Sequence, residues 1–320
     1  MRIRVLIGLV LALLVVVAVI VYPWRSSDSR PNSEAPPPPA PAFLPVAGAE
    51  GIGDPYFPRA GNGGYDVTGY DIQIRYDPPT DRLEGHTTVT ARATQDLSQF
   101  NLDLRLPATA VAVEGQPAGF RQDGGELQVT PAVPVRAGQP MSVLVDYVGV
   151  PSSIPGGRPV QPWVRTADGA VAVGEPDSAA WWYPSNDHPS DKATVAVTVT
   201  VPAGVEAISN GALLGGPEPA GPGWERWRWQ AGAPMATYLA FVAIGQYDLV
   251  RRDTEFGPYL AAYAQGLDPQ VVDAARASVE RTPEITRFLA GIFGPYPFSN
   301  LGGVVPNAPG LGFALETQTR

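Results

Sequence analysis

Apolar and polar residues alternate along four stretches of the chain between residues 70 and 201. A period of two residues is typical of β-strands that bury one face. Turn sequences rich in Asp, Asn, Gly and Pro separate these stretches, which predicts an antiparallel β-sandwich or a curved sheet. The apolar positions are Tyr70, Ile72, Ile74 and Tyr76; Phe100, Leu102, Leu104 and Leu106; Met141, Val143, Val145 and Tyr147; and Val195, Val197, Val199 and Val201.

The pattern becomes helical in the C-terminal part of the chain. Asp268 followed by Pro269 is typical of an N-cap and a first-turn proline. Pro283 is expected to split the helix, with Thr282 capping its second half, and Gly294 is expected to end it. The apolar residues at helical spacing are Val272, Ala275, Val279, Ile285, Phe288, Leu289 and Ile292. This pattern predicts an α+β region after the β-rich part.

The N-terminus predicts a membrane anchor. Val5–Tyr22 contains eighteen residues without a charge, and as a helix it would span about 27 Å, close to the thickness of a bilayer core. No small-residue cleavage site follows it, which favours an uncleaved anchor over a removed signal peptide. Arg2 and Arg4 predict a cytoplasmic N-terminus, so we expect a single-pass protein of the cell membrane with an extracytoplasmic globular part.

Composition divides the chain into four predicted parts. Residues 1–24 form the anchor, and residues 25–54, which contain four consecutive prolines from Pro36 to Pro39, form an extended stalk. A proline-rich ligand for a partner domain is the alternative interpretation of that tract. Residues 55–252 form the β-domain, and residues 253–320 begin the α+β domain.

Charge and composition exclude several functions. The net charge of −9 argues against a nucleic-acid partner, and the absence of cysteine excludes disulfides and thiolate metal sites. His86 and His188 are the only histidines, and neither belongs to an H-E-x-x-H motif, so no metal ligand is assigned. The chain also lacks a G-x-S-x-G nucleophile motif, which argues against a serine triad.

The stretch Phe313–Gln318 alternates like a strand, with Ala314, Glu316 and Gln318 on one face. At an open sheet edge, one carboxylate beside a small residue can bind the amino terminus of a peptide that pairs with the strand. The alternative interpretation is a solvated Glu316 on an ordinary edge strand.

The end of the chain resembles M1-family metallopeptidases of the aminopeptidase N type. The sequence FG-PYP, a Gly- and Pro-rich stretch and then GFALET resembles the segment that precedes the zinc motif in that family. Aligned on the acid of the G-x-M-E-N exopeptidase motif, Glu316 takes the place of Glu, Leu315 that of Met and Ala314 that of the variable residue. Phe313 replaces the motif Gly, although Gly312 lies one position earlier.

Thr317 replaces the last Asn of that motif. The resemblance implies that Glu316, Ala314 and Gly312 contact a peptide substrate, with Glu316 binding its free amine. The altered flanks leave open a different hydrolase activity on the same scaffold.

A second resemblance covers residues 173–194, which read as an aromatic cluster and a Pro-rich loop before the valine strand. This stretch resembles the family pattern F-P-x-x-D-x-P-x-x-K-A-T, with Tyr183 in place of Phe. The resemblance implies that Glu175 also binds the substrate amine, so that Glu175 and Glu316 converge on one ammonium group. A third stretch, Thr237–Tyr247, resembles the strand that ends the family's N-terminal domain.

Together the three matches imply a saddle-like M1 β-domain followed by the truncated start of a thermolysin-like catalytic domain. The zinc ligands, the general base and a transition-state tyrosine follow the exopeptidase motif in the family, and this chain does not contain them. The resemblance therefore implies zinc as cofactor without ligands in this chain, and the N-terminal portion of an exported aminopeptidase. The alternative is a noncatalytic cell-surface protein that binds peptides or acts as a scaffold.

Overall fold

The computed structural model describes residues 42–155, 161–309 and 311–320, and strands dominate them. The strands are β1 (Val46–Ala47), β2 (Tyr65–Asp77), β3 (Arg82–Ala93), β4 (Leu97–Asp103), β5 (Ala108–Val113), β6 (Gln116–Pro117), β7 (Gly119–Asp123), β8 (Glu126–Thr130), β9 (Pro140–Gly149), β10 (Trp163–Arg165), β11 (Ala170–Ala172), β12 (Ala193–Pro202), β13 (Glu206–Ser209), β14 (Ala212–Pro219), β15 (Trp224–Met235), β16 (Val242–Gly245), β17 (Tyr247–Thr254), β18 (Gly257–Ala264) and β19 (Leu301–Val305). The α-helices are α1 (Pro269–Val279) and α2 (Thr282–Phe293), and 3-10 helices cover Pro151–Ser153, Ala179–Trp181 and Thr237–Leu239. The predicted mainly β fold is confirmed.

The largest sheet has eight strands in the order β14-β15-β12-β2-β3-β9-β5-β6. Its strands pair antiparallel except for β12 and β2, which run parallel, with Val197 beside Ile72. All sixteen apolar positions of the four alternating stretches are buried. The alternation therefore predicted correctly which face of each strand packs into the core.

Two four-stranded sheets share this core, in the orders β1-β4-β8-β7 and β10-β11-β16-β13. Buried aromatic side chains join the sheets through hydrogen bonds to backbone carbonyls. Trp229 in β15 donates to the carbonyl of Ala207 in β13 at 2.8 Å, and Tyr147 in β9 donates to the carbonyl of Trp182 at 3.0 Å. The large rings thus fill the interior while their polar atoms find partners.

A buried polar loop precedes β12. The Asn186 backbone N–H donates to the Tyr70 hydroxyl at 3.0 Å, and its side-chain amide donates to Asp191 at 2.5 Å. Its side-chain oxygen accepts from the backbone N–H of Asn62 at 2.6 Å. These bonds fix the loop to the sheets, as a buried polar loop requires.

The fourth sheet, β17-β18-β19, carries the two helices. The predicted N-cap is confirmed, since the Asp268 carboxylate accepts from the backbone N–H of Gln270 at 2.8 Å. The split into two helices is also confirmed, and Gly294 ends α2 with φ of 100°. The predicted capping role of Thr282 is wrong, because its hydroxyl donates to the carbonyl of Val279 at the end of α1.

The predicted strand at Phe313–Gln318 is also wrong. These residues pair with no strand among the described residues, and the chain turns at its end, where Thr319 has φ of 77°. The Thr317 hydroxyl donates to the carbonyl of Arg320 across this turn. Alternation alone does not form a strand when no neighbouring strand is available for pairing.

Phe43–Arg320 forms one compact unit. The predicted anchor, Val5–Tyr22, and the stalk up to residue 41 lie outside the described residues. The described part of the predicted stalk contains β1, which pairs in parallel with β4. None of the described helices is both long enough and apolar enough to cross a bilayer. The boundary at residues 252/253 stays a prediction.

Candidate substrate-binding site

The two carboxylates selected from the sequence lie near one tyrosine side chain. The hydroxyl of Tyr238 donates a hydrogen bond to Oε1 of Glu316 at 3.2 Å. The negative charge of Glu175 also acts on this hydroxyl. The fold therefore brings residues 175 and 316, which lie far apart in the sequence, to the same tyrosine.

Tyr238 is a hydrogen-bond donor at neutral pH. Burial raises its pKa above the ordinary value, and the hydrogen bond to Glu316 and the charges of Glu316 and Glu175 raise the pKa further. A tyrosine with a raised pKa keeps its proton. The hydroxyl therefore donates to a carboxylate and does not compete with it for a cation.

Glycine before Glu175 permits a close approach to Tyr238. A Cβ atom at Gly174 would lie 2.5 Å from the carbonyl oxygen of Tyr238 and 2.9 Å from its Cα, closer than side chains tolerate. The Gly174 carbonyl also accepts from the backbone N–H of Ser178 at 2.8 Å, which closes a turn around Glu175. Glu175 itself is exposed at the surface.

The backbone that carries Tyr238 is a clamped 3-10 helix, Thr237–Leu239. The Thr237 hydroxyl donates to Asp187 at 2.8 Å, and the side-chain amide of Asn210 donates to the Leu239 carbonyl at 2.9 Å. The predicted strand over Thr237–Tyr247 is thus corrected: its first three residues are helical, and β16 is only Val242–Gly245.

The segment that carries Glu316 is anchored by the residues that follow it. The Gln318 side chain donates to the carbonyl of Ala233 at 3.0 Å. The Gly211 backbone N–H donates to the Thr319 hydroxyl at 2.9 Å, and the Arg320 guanidinium donates to the Gly211 carbonyl at 2.5 Å. Side-chain contacts to β15 and to the turn between β13 and β14 therefore place Glu316, in the absence of strand pairing by its own segment.

Gly312 and Ala314 lie exposed on the same segment. A Cβ atom at Gly312 would meet nothing within 4 Å, so space is open beside the backbone there. The role of Gly312 and Ala314 in contacting a substrate stays a prediction.

The interpretation of residues 173–194 as an aromatic cluster and a loop is confirmed. Trp181, Trp182 and Tyr183 are buried, and the loop leads directly into β12. Behind the cluster, burial raises the pKa of Asp187 to about 6, partly offset by its hydrogen bond from Thr237. The loop that shapes the site thus contains a buried acid whose charge is costly.

Each histidine is bonded to a carboxylate. Nδ1 of His86 lies 2.5 Å from Asp146, and Nε2 of His188 lies 3.2 Å from Asp54. In residues 42–155, 161–309 and 311–320, no group of three or more His, Asp or Glu side chains is arranged to hold a metal ion. The residues described do not fit a zinc centre.

Sequence reasoning found Glu175 and Glu316 but missed the part played by Tyr238. Tyr238 lies 78 positions from Glu316, and no local spacing links the two. The resemblance of Thr237–Tyr247 to a family strand predicts Tyr238 in a strand. The missing signal was the break in alternation at Thr237, where the 3-10 helix begins.

The sequence profile of the Peptidase M1 N-terminal domain matches residues 67–239, more than half of the chain. Glutamyl aminopeptidase of Homo sapiens is 34% identical over 91 residues, which are 28% of this chain and 9% of that protein. Aminopeptidase N of Haemonchus contortus is 31% identical over 124 residues, which are 37% of this chain and 13% of that protein.

Solved structures show a similar fold. The M1 zinc metallopeptidase from Deinococcus radiodurans aligns with a TM-score of 0.70 and 30% identity, over 80% of this chain and 59% of that one. A mutant of that enzyme bound to a Tyr-Ser-Ala substrate aligns with the same TM-score and coverage and 29% identity. This chain spans less than two thirds of each of these proteins.

Proposed function

Because the chain belongs to the M1 peptidase family through its N-terminal domain, we propose that it forms the N-terminal portion of a membrane-anchored, exported zinc aminopeptidase. That enzyme would remove N-terminal residues from peptides. The observation that carries this proposal is the hydrogen bond between Glu316 and the hydroxyl of Tyr238, which the charge of Glu175 also affects.

This arrangement suits capture of a free amino terminus. The α-amino group of a peptide has a pKa of about 8 and is largely an ammonium ion at neutral pH. Its three N–H groups can donate to more than one carboxylate, and charge-assisted hydrogen bonds are stronger than neutral ones. Glu175 and Glu316 would hold the ammonium, while the open space beside Gly312 leaves room for the peptide backbone.

The role of the described residues is substrate capture rather than metal chemistry. They contain no set of ligands for zinc, so no catalytic step is assigned to them. In the proposed enzyme, zinc would be held by residues outside this chain.

The exposed apolar face of α2 favours the presence of further protein that covers it. Five large apolar side chains project from it into solvent, and α2 contains no buried residue. Such a face is ordinarily covered in a folded protein. We therefore propose that α1, α2 and β17–β19 open a thermolysin-like α+β catalytic domain. The five side chains are Ile285, Phe288, Leu289, Ile292 and Phe293.

The anchor and export are proposed from the sequence alone. The uncharged run Val5–Tyr22 and the flanking Arg2 and Arg4 lie outside the described residues. They support a single span with the globular part outside the cytoplasm.

An activity assay on native protein from the membrane fraction tests the proposal. We expect it to cleave Tyr-Ser-Ala but not the same tripeptide with an acetylated amino group, and to lose activity with a zinc chelator. Equal cleavage of both peptides would indicate a different hydrolase. Binding of the free tripeptide without cleavage would support the noncatalytic peptide-binding protein.

A substitution links the activity to the site. Glu316→Ala in the native protein should raise KM for the free tripeptide by about tenfold or more, because a charged hydrogen-bond acceptor is lost. Glu84→Ala removes an exposed glutamate from β3 and serves as the matched control. Unchanged kinetics in the Glu316 variant would refute the role assigned to this residue.

A further inference from the structure

We infer that Tyr238 is a positioning residue of the proposed amine site, which orients the Glu316 carboxylate through its hydroxyl. This inference rests on the proposed function and adds to it a residue outside the exopeptidase motif. The hydroxyl lies 3.2 Å from Oε1 of Glu316, within hydrogen-bonding distance.

Glu316 needs such support because its own backbone forms no strand pairing that would fix the side chain. It is exposed on a segment that forms no strand, and the side-chain hydrogen bonds that tie this segment to the sheets begin at Gln318. A glutamate side chain in this setting has several accessible rotamers. Fixing one of them before the ligand arrives lowers the entropy lost on binding.

Tyr238 can supply this support because it is itself held firmly. Its 3-10 helix is tied to the buried Asp187 through Thr237, and the Tyr183 hydroxyl donates to the Thr237 carbonyl at 3.3 Å. On its other side, Gly174 packs against the Tyr238 backbone. A firmly held donor that contacts an exposed carboxylate is the arrangement expected of a positioning residue.

The same contacts link the two carboxylates. Gly174 places the Glu175 segment against the backbone of Tyr238, while the Tyr238 hydroxyl bonds Glu316. Tyr238 therefore contacts the segment of one carboxylate by backbone packing and the other carboxylate by a hydrogen bond. Loss of the hydroxyl alone should affect Glu316 and leave the Glu175 segment in place.

Calorimetric binding to the 320-residue chain in mild detergent tests this role. The probes are Tyr-Ser-Ala with a free amino group and the same tripeptide acetylated. Wild-type protein should bind the free form about tenfold more tightly or better. Tyr238→Phe should weaken binding of the free form by about threefold to tenfold and leave the acetylated form unchanged.

A double-mutant cycle distinguishes positioning from a general structural effect. If Tyr238 acts through Glu316, Tyr238→Phe should add nothing in a Glu316→Ala background, which has no acceptor for the tyrosine hydroxyl. Tyr56→Phe, which removes a hydroxyl from an exposed tyrosine elsewhere, is the matched control and should bind both peptides as wild type does. Thermal unfolding of each variant checks that the fold is retained.

The outcomes separate the two ideas. Suppose that wild-type protein prefers the free amine and that Tyr238→Phe binds as wild type does. This result overturns the positioning role but does not contradict the amine site. Additive losses in the cycle, or equal weakening of both peptides, also overturn it. If wild-type protein shows no preference for the free amine, the proposed amine site fails and the role of Tyr238 fails with it.

Discussion

The β-sheets and the two helices bury their apolar side chains to very different extents. Every apolar position of the four alternating stretches between residues 70 and 201 is buried, including four valines of β12. Neither α1 nor α2 has a buried residue, although both show helical apolar spacing, and Phe293 in α2 is 82% exposed. Periodicity thus reports which face an element offers for packing, while burial also requires a partner for that face.

The largest expected effect compares one residue type in the two regions. Phe100 in β4 is fully buried, whereas Phe288 in α2 is 67% exposed. Phe100→Ala should lower the free energy of unfolding by about 3–5 kcal/mol, because it leaves a cavity in the core. Phe288→Ala should change it by less than about 0.5 kcal/mol. Urea unfolding of both variants measures the difference.

Equal losses in the two phenylalanine variants would contradict the comparison. They would mean that α2 is covered in the isolated chain, by a second copy or by residues outside those described. Measuring both variants at several protein concentrations identifies self-association, since only association makes stability depend on concentration.

A smaller effect concerns pH and the buried acid behind the site. Burial raises the pKa of Asp187 to about 6 from an ordinary 3.8. The folded state therefore holds this proton more tightly than the unfolded state. The associated stability is fully present below about pH 4 and is lost as the pH rises through about 6.

Asp187→Asn tests this effect because an amide does not titrate. The variant should gain stability relative to wild type by about 2–3 kcal/mol between pH 4 and pH 7. The amide can keep the contact with Thr237, whose hydroxyl either donates or accepts. Urea unfolding at several pH values measures the gain, with the exposed Asp123→Asn as matched control. Parallel curves for the Asp187 variant and wild type would refute the buried charge.

The smallest effect lies in the helices. Asp268 caps α1 by accepting from the backbone N–H of Gln270. Asp268→Ala should cost about 1 kcal/mol of local helix stability, because one end donor loses its partner. Hydrogen exchange in Pro269–Val279 should accelerate about fivefold, while exchange in β12 stays as in wild type. Equal acceleration in β12 would show that the helices and sheets unfold together.

The sequence correctly predicted those elements and helix ends that depend on neighbouring residues in the chain. The valines of β12, the Asp268 cap and the Gly294 terminus are examples, since alternation, capping and left-handed backbone each have a local cause. The strand at Phe313–Gln318 failed because pairing depends on a distant neighbour. The predicted cap at Thr282 was wrong because its hydroxyl donates to the carbonyl of Val279 instead.

The candidate site was predictable only in part for the same reason. Glu175 and Glu316 were selected from motifs in two separate stretches. Their meeting at Tyr238 depends on the 3-10 helix at Thr237–Leu239 and on the anchoring of residues 318–320, which only tertiary contacts determine. A motif can identify a charged residue, whereas its orientation depends on the groups packed around it.

The central claim is that this chain is the N-terminal portion of a catalytic M1 aminopeptidase. The intact mass of the native protein from the membrane fraction tests it most directly. We predict a mass far above 33.8 kDa, with bound zinc and an H-E-x-x-H motif in the additional residues. A native mass of 33.8 kDa would contradict the claim and favour a peptide-binding protein without catalysis.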